Sequence, residues 1–150
     1  RLRGIRAALQ EQGLTIDDIY VEHGDFEERF GVAGTERLLA SGFPVTAIFA
    51  GDDDVAAGAL LALKRAGKRV PQDISLMGFD DNFHARHLTP SLTTVRQPVD
   101  EAGRVAAQLL IKILAGQVPE QAEVTIEAPL IRRDSVGALV SPPGRKELAG

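Results

Sequence analysis

Val45-Thr46-Ala47-Ile48-Phe49-Ala50-Gly51-Asp52-Asp53-Asp54 is the stretch whose pattern decides the fold. Its first six residues are almost continuously apolar or β-branched, as in a strand covered on both faces. A glycine and three carboxylates follow, and a helical pattern runs from Asp53 to Arg65 with Gly67 just beyond it. Strand, glycine, acid, helix is the unit of a parallel sheet.

The same unit recurs on either side. Upstream, Arg1 to Gln12 carries Leu2, Ile5, Ala8 and Leu9 at helical spacing and stops at Gly13. Ile19-Tyr20-Val21 reads as a short strand ending at His23-Gly24-Asp25-Phe26. Glu27 to Ala40 reads as a helix with an acidic first turn, closed by Gly42. Downstream, Ile74 to Phe79 is a strand that ends at Asp80-Asp81. The order is αβαβαβ, and the acidic strand ends at Asp25, Asp52 and Asp80 lie 27 and 28 positions apart, close to the roughly 30 residues of a βαβ unit. The fold class is therefore α/β, a doubly wound parallel sheet.

After Thr89-Pro90-Ser91 the rhythm changes. Leu92-Thr93-Thr94-Val95 is a short β-prone run, and Pro98 precedes a helix over Val99 to Leu114. One stripe of that helix carries Ala102, Val105, Ala106, Leu109, Leu110 and Ile113. Val124-Thr125-Ile126 and Leu130-Ile131 are short strand candidates, and the stretch from Ser135 to Gly150 is expected to be poorly ordered.

Composition narrows the function. With 150 residues, 44% hydrophobic positions, a net charge of −4 and a pI near 5.4, the chain has the makeup of one globular unit. It has no clustered basic face with which to neutralise phosphates. It has no cysteine, which excludes disulfides and thiolate metal sites, and no stretch approaches the roughly 20 apolar residues of a membrane span. The start at Arg1, without Met and inside a helical pattern, suggests a piece of a longer polypeptide.

In an open parallel sheet, ligands bind beyond the carboxyl ends of the strands. Three such ends here carry acids: Asp25, the run Asp52-Asp53-Asp54, and Asp80-Asp81. A carboxylate accepts hydrogen bonds through two oxygens and suits vicinal hydroxyls or the N–H edge of a purine. Phe26 offers a face for stacking, and Arg1 a donor fork if the first helix reaches the same rim. Two alternatives compete. Asp52 or Asp53 is equally suited to capping the third helix. The acidic run also suits Mg²⁺ in a phosphoryl-transfer enzyme, although no glycine-rich phosphate loop accompanies it. His23, His84 and His87 have no metal-ligand spacing, so no metal and no cofactor is expected.

Six blocks carry a more specific signal. They are Arg1 to Gly4 before a helix ending at Gly13; Gly24-Asp25-Phe26 with Gly31; Ala50-Gly51-Asp52-Asp53 with Ala56 and Gly58; Val70-Pro71-Gln72-Asp73-Ile74-Ser75; Gly78-Phe79-Asp80-Asp81; and Leu92 to Pro98. In this order they resemble the second half of the effector domain of the lactose-repressor/galactose-repressor (LacI/GalR) family, over about positions 1 to 134. The resemblance implies a type I periplasmic-binding-protein-like fold, present in part and mainly as its C-terminal lobe. Residues 1–96 would form that lobe, 97–126 a crossover segment of the other lobe, 127–134 a return strand, and 135–150 a tail.

The same resemblance implies that Arg1, Phe26, Asp52 and Asp80 contact a small effector, such as a sugar or purine. The position of Asp52 is commonly Asn in the family, which would favour a donor-rich effector here. It further implies a homodimer, with Ala57 and Leu61 at the interface on a surface made small by Ala56, Gly58 and Ala59. Operator DNA would be read by a helix-turn-helix outside these residues, and the protein would be a cytoplasmic regulator, not an enzyme. The stripe of the Val99 to Leu114 helix would lack its sheet and seek a partner, with swapping or dimerisation as the result. The main rival is a periplasmic sugar-binding protein of a transporter, which shares the fold.

Overall fold

The computed structural model describes residues 1–16, 20–117 and 123–138. The elements in chain order are α1 (Leu2–Glu11), α2 (Glu28–Ala40), β1 (Ala47–Phe49), α3 (Asp53–Arg65), β2 (Ser75–Met77), β3 (Thr94–Val95), α4 (Val99–Leu114) and β4 (Leu130–Ile131). β1 and β2 pair in parallel, Ile48 opposite Leu76. β3 and β4 pair antiparallel, Thr94 opposite Ile131. Two parallel bridges, Met77 to Thr93 and Asp80 to Arg96, join the exit of β2 to β3. The chain is an α/β fold with a parallel sheet, as its strand–acid–helix units require.

Asp52 starts α3 as an extended N-cap whose side chain accepts from the Val55 N–H at 2.7 Å. Asp53 and Asp54 in the first turn and Lys64 and Arg65 in the last complement the helix dipole. Gly67 then supplies the positive φ of 69° that ends the turn. The inner side of α3 is buried and joins Leu76, Ala85 and Leu92 in the core.

α2 crosses α3 at two glycines. A Cβ on Gly58 would lie 2.0 Å from the Glu28 carbonyl oxygen, and one on Gly31 would lie 2.1 Å from that of Val55. Backbone meets backbone there, a distance only glycine permits. This reassigns part of the small-residue surface expected at a dimer interface: Ala56, Gly58 and Ala59 are buried within the chain, while Ala57 and Leu61 stay half-buried.

Other departures have local causes. β1 is shorter than the expected Val45 to Ala50 run and is not covered on both faces, since Phe49 is 37% exposed. A cavity of about 440 Å³ separates it from Leu2 and Ile5 of α1. Of the expected strand at 19–21, Ile19 lies outside the described residues, and Tyr20 and Val21 pair with no strand among the described residues. Val124 to Ile126 forms no strand. Ser135, taken from sequence as the start of a loose tail, is buried: its Oγ donates to the Leu76 carbonyl at 2.6 Å and accepts from the Thr93 N–H at 2.8 Å. The rest of the expected tail from 139 on lies outside the described residues. In α4 no residue is buried, and Val99, Leu110, Ile111, Ile113 and Leu114 are all exposed.

Candidate functional site

The rim beyond the strand ends gathers around Arg1, the residue that precedes α1. Its Nη1 donates to the Gly51 carbonyl at 2.7 Å, at the end of β1. Its Nη2 lies 3.7 Å from Asp80 Oδ1, beyond the end of β2. The guanidinium also sits 4.1 Å from the Phe79 ring centroid and 5.6 Å from that of Phe26. Phe26 packs beside Gly51, where an added Cβ would come within 3.3 Å of the ring, yet it remains 64% exposed. First helix, first strand and second strand thus meet at one donor, one acceptor and one open aromatic face.

The energetics leave these groups available. Both Arg1 and Asp80 side chains are about one-third exposed, and an exposed pair of this length contributes only ~0–1 kcal/mol. A ligand hydroxyl or N–H can replace such a contact at little cost. Asp80 adopts a φ of 111°; its N–H donates to the Val95 carbonyl at 2.8 Å, and its Oδ1 accepts from Gln97 Nε2.

Asp52 differs from the other candidates. It is 7% exposed and one of its oxygens caps α3, the structural role that sequence left open. Asp25, expected at the first acidic strand end, follows no strand among the described residues and pairs with Arg29 at 3.1 Å.

Behind the rim lies a polar layer whose acids sequence named but whose burial and partners it did not. Asp53 is 2% exposed and accepts from Thr94 Oγ1 at 2.6 Å and from the Asn82 N–H at 2.8 Å. Asn82 Nδ2 donates to Asp54 at 3.0 Å. These bonds account for two of the three acids read as a possible Mg²⁺ run. Burial pushes the Asp53 carboxyl above its ordinary range, the Thr94 and Asn82 hydrogen bonds oppose this, and the charges of Asp80 and Asp81 add to the rise. Gly78 makes room for it, since a Cβ there would lie 2.2 Å from Asp53 Oδ1. Asp81 is also buried, held by Arg133 and Arg96. Burial pushes its carboxyl up, but the bonds and charges of the two arginines outweigh that and hold it below its ordinary range. The sequence trace of this layer was the acidic run Asp52-Asp53-Asp54 and the doubled acid Asp80-Asp81, with nothing to link them to Thr94, Arg96 or Arg133.

Residues 1–136 match the family described as periplasmic binding protein-like domain. The chain belongs to that family. Within this periplasmic binding protein-like family its relatives are regulators. It is 38% identical over 135 residues to the HTH-type transcriptional regulator CelR of Thermobifida fusca, covering 90% of this chain and 40% of that protein. It is 37% identical over 136 residues to the HTH-type transcriptional repressor PurR of Escherichia coli O127:H6, covering 91% and 40%. Among solved structures, a CelR–cellobiose complex superposes with a TM-score of 0.84 at 37% identity, over 89% of this chain and 41% of that one. A regulatory protein of LacI family from Chloroflexus aggregans gives 0.84 at 37%, over 91% and 50%. The LacI/GalR resemblance and the partial periplasmic-binding-protein-like fold read from the sequence are thereby borne out, and the chain spans about half or less of each of these relatives.

Proposed function

We propose that this chain is the effector-sensing and dimerisation part of a LacI-type transcription regulator, most simply a repressor. The observation that carries this is the rim itself: the Arg1 guanidinium opposes the Asp80 carboxylate at 3.7 Å, beside the exposed Phe26 ring. A donor fork, an acceptor and an apolar face are what a sugar or a purine base presents partners for. Asp52 completes the set with the carboxylate oxygen that does not cap α3. The site acts by binding and not by catalysis, in the cytoplasm, with neither metal nor cofactor. Operator DNA contacts belong to a segment outside these residues, consistent with a pI near 5.4. No helix among the described residues is long and apolar enough to cross a membrane.

The domain organisation follows the same reading. Residues 1–96 and 127–134 belong to one lobe, and 97–126 to a second. The exposed apolar stripe of α4 supports this, because a helix of that character is stable where a sheet covers it. Ala57 and Leu61, half-buried on the outer side of α3, form the homodimer contact.

A thermal-shift screen with glucose, cellobiose, ribose, adenine and guanine tests the site. Asp80→Asn keeps the shape and tolerates the positive φ, and it weakens binding of the responding compound by about tenfold or more, as loss of a hydrogen bond to a charged group does. Retained affinity in that variant rejects the assignment.

A further inference from the structure

Two consecutive carboxylate residues beyond the end of β2 meet different surroundings. Asp80 and Asp81 both have positive φ, 111° and 56°. This reversal leaves the Asp80 side chain one-third exposed and buries that of Asp81 to 2% exposure. The Asp81 side chain is held instead by Arg96 and Arg133. Its Oδ2 accepts from Arg96 Nε at 2.7 Å, and its Oδ1 from Arg133 Nη2 at 2.5 Å.

The two arginines come from the two strands of the antiparallel pair. Arg96 directly follows β3, and its N–H donates to the Pro129 carbonyl at 2.9 Å. Arg133 follows β4, and its Nη1 donates to the Leu92 carbonyl at 2.8 Å while its N–H donates to Thr93 Oγ1 at 2.9 Å. The residue after Arg96 is Gln97, whose amide holds Asp80, and Pro98 then caps α4. A cavity of about 520 Å³, lined by Asp80, Asp81, Asn82, Arg96, Gln97 and Val99 among others, lies between the rim and the start of α4. One carboxylate therefore pins both strands, while its neighbour in sequence faces the candidate ligand.

We propose that Asp81 is a positioning residue: it locks Asp80 to both strands of the β3–β4 pair, so that engagement of Asp80 by ligand is transmitted through Arg96 and Gln97 into α4. This rests on the effector reading of the rim. A ligand bond to Asp80 competes with Gln97 for the same carboxylate, and the Asp81 junction converts that competition into a change at the 96–99 segment. Without the junction, Asp80 can still bind, but its movement is absorbed by the loop.

The test is hydrogen exchange on the intact protein, with and without whichever of glucose, cellobiose, ribose, adenine or guanine raises its melting temperature most. In the unmodified protein the compound slows exchange at the amides of 97 and 99–102. In Asp81→Asn, at saturating compound, that protection disappears, and affinity falls about fivefold or more, the scale of an ordinary coupling between sites. Arg96→Gln is the companion variant, since the Arg96 side chain is 53% exposed and its loss leaves the core intact; it reduces the protection by half or more. A purely structural Asp81 would lower the melting temperature while leaving the ligand-induced protection unchanged, and that result in both variants overturns the proposal alone. Absence of any response to all five compounds in the unmodified protein overturns the reading of the rim itself, and this inference with it.

Discussion

Gly58→Ala separates backbone packing from helix propensity in one methyl group. In an open helix the change is favourable, by about 1 kcal/mol. At Gly58 the new Cβ would stand 2.0 Å from the Glu28 carbonyl oxygen and 2.9 Å from the Val32 nitrogen. Neither neighbour is a side chain that can rotate away, so α2 must move off α3 by more than an ångström to restore ordinary contact. Overpacking of this kind costs typically 1–3 kcal/mol, and the upper end applies where backbone is displaced. Subtracting the propensity gain leaves a net loss of about 1–2 kcal/mol. For a domain of this size that lowers the melting temperature by roughly 3–6 °C. Gly103→Ala in α4 is the control, since nothing lies within 4 Å of its added Cβ; it leaves the melting temperature unchanged or slightly raised. Because Gly31 serves the same crossing, Gly31→Ala added to Gly58→Ala costs less than its effect alone. Thermal unfolding followed by circular dichroism reads the unmodified protein, the three single variants and the double variant. A Gly58→Ala melting temperature equal to or above that of the unmodified protein refutes the crossing geometry.

Two further outcomes are expected. Leu61→Glu would bury an unpaired charge at the proposed dimer contact and weaken self-association by roughly tenfold or more; sedimentation showing an unchanged dimer fraction removes Leu61 from the interface. The pH dependence separates the two buried acids. Asp53 has a folded pKa raised above its unfolded value of about 3.8, so the native state holds its proton longer and stability falls as pH rises through the window above 3.8. Asp81 is shifted the other way, so its contribution is present above that value and lost as pH falls below it. Compared at a series of pH values, Asp53→Asn therefore gains on the unmodified protein as pH rises above 4, and a stability difference that is flat or of opposite slope counts against the buried position of Asp53.

Much of the rim was legible because its parts are local. A glycine and an acid after an apolar run predict a strand end, and Arg1, Phe26 and Asp80 were each identifiable by side-chain chemistry and by resemblance. The capping role of Asp52 was equally legible, since an acid one residue before a helix suits either use. The second layer was not. Asp53 meets Thr94 across 41 positions and Asp81 meets Arg133 across 52, and no periodicity links residues so far apart. The small residues of α3 misled for a related reason: Gly58 announces a close approach, but sequence does not say whether the approaching backbone belongs to α2 or to a second chain.

What the sequence by itself determined, then, is the order of elements, the class of the fold and the polarity of its binding edge, because hydrophobic period, glycine stops and acidic strand ends are properties of neighbouring residues. What only the tertiary structure decided is which acids remain available. The carboxylate of Asp80 stays open at the rim while those of Asp53 and Asp81 are consumed behind it. Burial and long-range partners set that division, since a carboxylate taken out of water must find donors, and those donors are Asn82 for Asp53, Thr94 of β3, Arg96 just after it and Arg133 beyond β4.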